Sequence, residues 1–407
     1  MKTYLVGGCV RDALLGRSVQ DRDWVVVGAT AEHMLAQGYK QVGKDFPVFL
    51  HPLSKEEYAL ARTERKTAPG YSGFSFHAAA DVTLEQDLAR RDLTINAMAQ
   101  TADGEIIDPF HGQDDLRERV LRHVSPAFSE DPVRILRVAR FAARYAELGF
   151  HLAPETLTLM RAMVHNGEVA ALVIERVWQE TSRALAEKSP AIFFEVLREC
   201  GALKVIFPEL DALFGVPQPV EYHPEIDTGV HTLMVLQQAA RLSTDSSVRF
   251  AALLHDLGKG ITPQEEWPHH NGHEVKGVPL VDALCKRLNV PGGYRDLACM
   301  VAEYHLHYHC IKELRPGTIL DTLQALDAFR RPQRFEAFLL ACEADARGRP
   351  GYENRELEQP RWFRRYFETA AAIKPGDLPE GLSGPAIGEA LRVKRLECIA
   401  AIRAEKS

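Results

Sequence analysis

The chain has 407 residues, 46% of them hydrophobic and 26% charged, with a formal net charge of −7. That composition is that of a folded chain, and the length exceeds one ordinary domain. No uncharged apolar run approaches the roughly 18 residues of a membrane helix, which speaks against a membrane partner. The net negative charge disfavours a general RNA binder, so any basic surface must be local.

The start, MKTYLVGGCVRD, carries charge and turn signals where a secretory leader needs a long apolar run. The 7 cysteines are scattered and form no C-x-x-C pair, which points to reduced thiols and a cytoplasmic protein. Short β-rich runs then predict strands at Tyr4–Val6, Trp24–Val27, Tyr39–Val42, Val48–Leu50 and Tyr58–Arg62. Helical spacing fits Val10–Leu15, Ala31–Gln37 and Leu93–Met98. Lys66–Ala80 reads as a long loop of the kind that carries function. From about residue 115 the pattern is helical nearly to the end, broken by a proline-rich linker at Gly215–Asp227 and turn clusters at Gly258–Pro268 and Arg347–Asn354. The expected fold is an α+β head with a mixed sheet, then an all-α neck or body, a histidine-rich helical module and a helical tail.

The stretch LVGGCVRDALLGRSVQDRDWVVVG sets Asp21 and Asp23 at the head of an apolar strand. In a strand, residues two apart share a face, so both carboxylates project together if the strand has begun by Asp21. Like charges that close repel unless a cation sits between them. Mg2+ is suited to this, because it takes carboxylate and phosphate oxygens together. Two such ions can clamp an in-line displacement. Gly7 and Gly8 let backbone approach a phosphate, and Arg11 is placed to meet a triphosphate. Alone, D-x-D more often stands in solvent at a strand mouth than at a site. The combination of GG, an arginine and D-x-D running into Trp-Val-Val-Val resembles the nucleotidyltransferase superfamily related to polymerase β.

Three more motifs follow in order: RRDLTINAM at Arg90–Met98, DPFHGQDDLRERVLRHV at Asp108–Val124 and EDPVRILRVARF at Glu130–Phe141. With the opening stretch they resemble the class II tRNA nucleotidyltransferases (CCA-adding enzymes) and bacterial poly(A) polymerases, over about residues 1–230. That resemblance implies metal-holding roles for Asp21 and Asp23 and nucleotide contacts from Gly8, Arg11, Arg91, Asp92 and, at lower odds, Asn96. Glu64 is one candidate for a third carboxylate.

In EDPVRILRVARF, Asp131-Pro132 is a helix start. At 100° per residue, Arg134, Arg137, Arg140 and Arg144 fall within about a 120° arc. Phe141 falls on the same side and breaks the basic face. An aspartate beside an arginine offers an acceptor next to a donor. Cytosine and adenine present an amino group next to a ring acceptor; uracil and guanine present the reverse. Asp131 and Arg134 therefore suit selection of C and A over U and G. The resemblance assigns the same role to the pair, and leaves Arg137 and Arg140 to contact phosphate or neighbouring groups.

Further on, VRFAALLHDLGKG sets His255-Asp256 after an apolar helical run, with His231 24 residues upstream in another helical pattern. Imidazole and carboxylate together suit a divalent metal. The pattern resembles the HD phosphohydrolase superfamily over about residues 228–330. That resemblance implies His231, His255, Asp256 and Asp321 as ligands, with His273 and His305 as weaker candidates and His307 and His309 as bystanders. A head of the first kind with this module resembles the multifunctional bacterial CCA-adding enzymes. It implies Mg2+ for nucleotidyl transfer, Ni2+ or Mn2+ for a phosphatase or phosphodiesterase, tRNA with CTP and ATP as partners, and a monomer or homodimer. The expected domains are a catalytic head at 1–125, a helical neck and body at 126–227, the HD domain at 228–330 and a tail at 331–407. Poly(A) polymerase is the nearest alternative. A guanosine-tetraphosphate synthetase/hydrolase is disfavoured because its HD part comes first, and a non-catalytic RNA binder because both acidic motifs are intact.

Overall fold

The computed structural model describes residues 1–19, 21–42, 48–66, 74–77, 80–379 and 381–404. The first 107 residues supply a seven-stranded mixed sheet in the order β3-β4-β5-β2-β1-β8-β9. Its strands are β1 (Lys2–Val6), β2 (Asp23–Val27), β3 (Lys40–Val42), β4 (Val48–Leu50), β5 (Glu57–Leu60), β8 (Ala99–Gln100) and β9 (Ile106–Ile107). β6 (Thr63–Lys66) and β7 (Phe74–His77) pair separately as an antiparallel hairpin. They lie at the ends of the stretch expected as a loop, and the rest of that stretch falls largely outside the described residues. The side chain of Glu64 is also outside them.

β2 shows why this sequence makes a central strand. It pairs antiparallel with β1 and parallel with β5, with Val25 opposite Tyr4 and Ala59. Alternation sends Val25 to one face and Val26 to the other. Val25 packs with Val6, Leu88 and Ala97, whereas Val26 packs with Met34, Phe49 and Leu60. A strand with apolar layers on both faces reads as a continuous apolar run.

Two compact units make up the chain: Met1–Ala184 with Ile192–Ile206, and Leu185–Ala191 with Phe207–Ser407. In the first, the sheet is followed by helices including Val133–Tyr145, Pro154–His165 and Ile174–Leu185. Val177, Glu180, Thr181 and Ala184 form the buried stripe of the last of these, at the spacing of one helical face.

The second unit is helical. Thr228–Leu242, Ser246–Leu254, His273–Arg287, Gly292–His309 and Pro332–Arg347 pack around one centre. Asp227 and Asp245 start the first two by accepting from the backbone N–H groups of Val230 and Ser247. Gly258 is required where the turn after Asp256 crosses the helix starting at His273. A β-carbon there would lie 2.0 Å from the His273 carbonyl oxygen. Among the described residues no helix is long and apolar enough to cross a membrane.

Two sequence expectations change. Leu93–Met98 is not an α-helix but a short 3-10 turn, Thr94–Asn96, leading into β8. Gly215–Asp227 is not a linker. Its Gln218 backbone N–H donates to the Ile226 carbonyl at 2.7 Å, and His223 and Gln218 are buried in the wall of the second unit.

Candidate active sites

The first site is a cavity of about 530 Å3 lined by nine arginines against three aspartates, Asp23, Asp92 and Asp131. That surplus of positive charge suits a polyphosphate. Asp23 opens β2, whereas Asp21 lies in the exposed turn before it. The strand has therefore not begun at Asp21, and the strict alternation argument does not hold there. Asp23 is exposed at the strand mouth, but desolvation by the surrounding groups raises the proton affinity of its carboxyl; Arg91 opposes this and the charge of Asp21 adds to it. A bound cation would relieve both causes, so the pair fits a divalent ion.

Gly7, at φ +75°, rather than Gly8, is the sterically demanding glycine. A β-carbon on Gly7 would lie 2.8 Å from a terminal nitrogen of Arg91. Arg11 is buried and donates to Asn96 Oδ1 at 2.5 Å. Asn96 Nδ2 donates to Asp92 Oδ1 at 2.9 Å, and Arg137 Nε donates to Asp92 Oδ2 at 2.7 Å. Arg11, Asn96, Asp92 and Arg137 thus form one relay across the cavity floor. Asp92 is fully buried, but Arg137 and Asn96 overcome that penalty and hold its carboxyl well below the usual range. Both Asp92 oxygens are engaged, so in this conformation the group braces Arg137 directly and Arg11 through Asn96.

On the helix Val133–Tyr145 the expected basic face is present. Arg134, Arg137, Arg140 and Arg144 all line the cavity. Phe141 is part of that face. The guanidiniums of Arg140, Arg11 and Arg137 lie 4.5, 5.3 and 5.8 Å from its ring centre. Its ring stacks on Tyr145 at 6.1 Å and 2°. Arg140 Nε donates to the buried Glu180 at 2.5 Å. Asp131 caps the helix by accepting from the Val133 N–H at 3.1 Å, and Arg134 donates to the Ala127 carbonyl at 2.7 Å. Arg176, not foreseen from the sequence, grips Asp131 from the helix Ile174–Leu185.

The second site lies within the helical unit. Nδ1 of His231, His255, His273 and His305 each faces a backbone carbonyl: Gly348 at 3.1 Å, Ala252 at 2.8 Å, His270 at 2.9 Å and Ala302 at 3.0 Å. Those contacts favour the proton on Nδ1 and leave Nε2 as a lone pair pointing inward. Nε2 of His231 meets Asp345 at 3.1 Å, and Nε2 of His255 meets Asp256 at 3.0 Å. Nε2 of His273 meets Asp256 at 3.2 Å and Nε2 of His305 at 3.2 Å. Two acceptors that close call for a cation between them. Buried His255 Nε2 and Asp256 Oδ1 also lack a hydrogen-bond partner. Among the described residues three ligand sets result: His231-His255-Asp345 and Asp256-His273-His305 at the centre, and His223-Glu225-His231 beside them. Mixed imidazole and carboxylate donors fit a divalent ion.

Asp321 is not in this site. It is exposed and accepts from Arg392 at 2.7 Å. Asp345, on the helix Pro332–Arg347, takes the place expected of it, buried beside His231 and His255. His309 is no bystander either, since its Nε2 lies 2.6 Å from Asp345 Oδ2. His307 turns away to Thr322. Glu225 meets both His223, at 2.9 Å, and His231, at 2.8 Å. Lys259 donates to Asp256 at 2.7 Å. The only signal for Asp345 is its place in the small-residue run Ala341-Cys342-Glu343-Ala344-Asp345-Ala346, where it is buried and Glu343 only partly so.

Comparison with known proteins matches families over both regions of the chain. Residues 3–122 match the poly A polymerase head domain family, 149–214 the family described as "Probable RNA and SrmB- binding site of polymerase A", and 228–337 the HD domain family. Over 406 residues the chain is 66% identical to the multifunctional CCA protein of Thioalkalivibrio sulfidiphilus, covering 100% of this chain and 99% of that one. The chain belongs to the multifunctional CCA protein family. The protein of that name from Nitrosococcus oceani is 64% identical, with 98% of both chains covered. Among solved structures, a CCA-adding enzyme in an apo form superposes with a TM-score of 0.67 at 22% identity, covering 100% of this chain and 92% of that one. A Thermotoga maritima CCA-adding enzyme solved with tRNA gives 0.60 at 20% identity, over 100% and 92%. At that identity the likeness bears on the fold: a nucleotidyltransferase head followed by helical domains.

Proposed function

We propose that this multifunctional CCA protein family member adds or repairs the 3′-terminal CCA of tRNA from CTP and ATP, with no nucleic-acid template. The observation that carries this reading is the Asp131 and Arg134 pair at the wall of an arginine-rich cavity that also holds Asp23. The tRNA 3′-hydroxyl attacks the α-phosphorus, a P–O bond forms, and pyrophosphate leaves. Asp21 and Asp23 hold Mg2+, which supplies charge neutralisation at the reacting phosphate when bound. Arg11 and Arg91 take the triphosphate, and Arg137 and Arg140 keep the far wall positive. Asp131 accepts from the base amino group and Arg134 donates to the ring nitrogen, which admits C and A.

The helical unit adds a metal-dependent phosphohydrolase acting on phosphomonoesters or 2′,3′-cyclic phosphates. His231, His255, Asp256 and Asp345 are its principal ligands, with His273 and His305 beside them. The imidazole donors favour Ni2+ over Mg2+, and the carboxylates beside them also admit Mn2+. The protein is cytoplasmic, in keeping with tRNA as partner.

Offering the protein tRNA that lacks its 3′ end, with each labelled nucleotide alone and in pairs, tests the transferase reading. Two C additions, then one A, then arrest are expected. A long A ladder would replace this reading with poly(A) polymerase. His255→Ala is expected to abolish metal-dependent phosphatase activity and spare CCA addition; loss of both would refute the division of labour.

A further inference from the structure

We propose that Arg176 is a specificity-determining positioning residue, which orients Asp131 so that a single acceptor site is left for the incoming base. This rests on the reading of Asp131 and Arg134 as the base-selecting pair.

An ionised carboxylate has about four lone-pair sites, two on each oxygen. In Asp131 three are taken. Oδ1 accepts from the Val133 N–H at 3.1 Å and from one terminal nitrogen of Arg176 at 3.2 Å. Oδ2 accepts from the other terminal nitrogen of Arg176 at 2.8 Å. One site on Oδ2 remains. One site receives one N–H, which is what the amino group of cytosine or adenine brings to that edge. The carbonyl oxygen of uracil or guanine would bring a lone pair against a lone pair.

Two-point contact with a guanidinium also fixes the plane of the carboxylate, because both groups are flat. A carboxylate held at one point turns about its own bond and takes up water. It could then present an oxygen, or a bridging water, to either kind of base edge. Selectivity at Asp131 therefore depends on the fork from Arg176, a residue 45 positions away on another helix. Arg137 and Arg140 also meet carboxylates, but theirs are Asp92 and Glu180, which are buried bracing groups. Arg176 is the arginine whose fork restrains the base-reading acid.

The competing roles for Arg176 are a phosphate contact and a plain tether between helices. Either would weaken all four nucleotides alike. The test is single-nucleotide addition to tRNA primers by full-length R176K and R176Q, measuring kcat/KM for CTP, UTP, ATP and GTP. R176K keeps the charge and loses the fork. For both variants the CTP:UTP and ATP:GTP ratios are expected to fall by about tenfold or more, with melting temperatures showing a folded protein. An unchanged ratio in R176K overturns the proposal, including the case in which every nucleotide weakens equally. D131A separates the two levels of inference. If D131A leaves the ratios intact, the base-selecting reading of Asp131 fails. If D131A collapses them and R176K does not, the role of Arg176 alone fails.

Discussion

Replacing Phe141 by leucine probes whether the ring orders the arginines around it. Phe141 is 5% exposed, and three guanidiniums lie between 4.5 and 5.8 Å from its ring centre. A cation held over an aromatic face gains about 0.5–1 kcal/mol when exposed and about 2 when desolvated. Three such contacts place roughly 1.5–3 kcal/mol of positioning on one ring. At about 1.4 kcal/mol per factor of ten, kcat/KM for CTP and ATP should fall roughly 10- to 100-fold. Leucine refills much of the volume, so the stability cost should be on the order of 1–2 kcal/mol. Steady-state addition to tRNA, measured beside thermal melting of the same samples, separates the two effects. A folded Phe141→Leu protein whose kcat/KM stays within about twofold of the parent would show that the relay and ion pairs alone order the arginines.

Asp345→Asn should abolish the metal-dependent phosphatase and weaken Ni2+ or Mn2+ binding measured by calorimetry, whereas Asp321→Asn should leave both intact; the opposite result would restore Asp321 as the ligand. Asp92 offers a test by pH. Its folded pKa lies below the ordinary 3.8. The ionised group therefore contributes stability that is complete above that value and is lost as the pH falls below it. Asp92→Asn should flatten the curve of unfolding free energy against pH below about pH 4, and parallel curves for the two proteins would contradict the pairing with Arg137.

Much of the fold was legible because its signals are local. Val25 and Val26 announce a strand covered on both faces, and GG followed by D-x-D announces a phosphate and metal end. Asp131-Pro132 marks a helix start that the structure keeps, with Asp131 capping Val133. What stayed hidden depends on distant elements meeting. Arg176 reads as one more charge on an amphipathic helix until its partner is known. Asp345 lies 90 residues from His255, and periodicity says only that it faces inward. The family resemblance implies Asp321 as a ligand, yet its helix turns it outward to Arg392. Prolines made Gly215–Asp227 resemble a linker, because rigid turns have the same composition whether they join domains or wall a cavity. Phe141 looked like a flaw because a helical wheel records sides and not what a ring does for its neighbours.

The inward-facing nitrogens and oxygens of the second site come from distant parts of its unit, from His231 to Asp345, 114 positions later. A ligand set gathered that widely makes metal affinity and folding free energy one quantity, since no unfolded chain holds those atoms together. At free metal a thousandfold above its dissociation constant, that linkage is worth about 4 kcal/mol. Melting this protein across a series of divalent ions would therefore rank their affinities for the site without any substrate, and metal supply would set how long this half of the chain survives proteolysis.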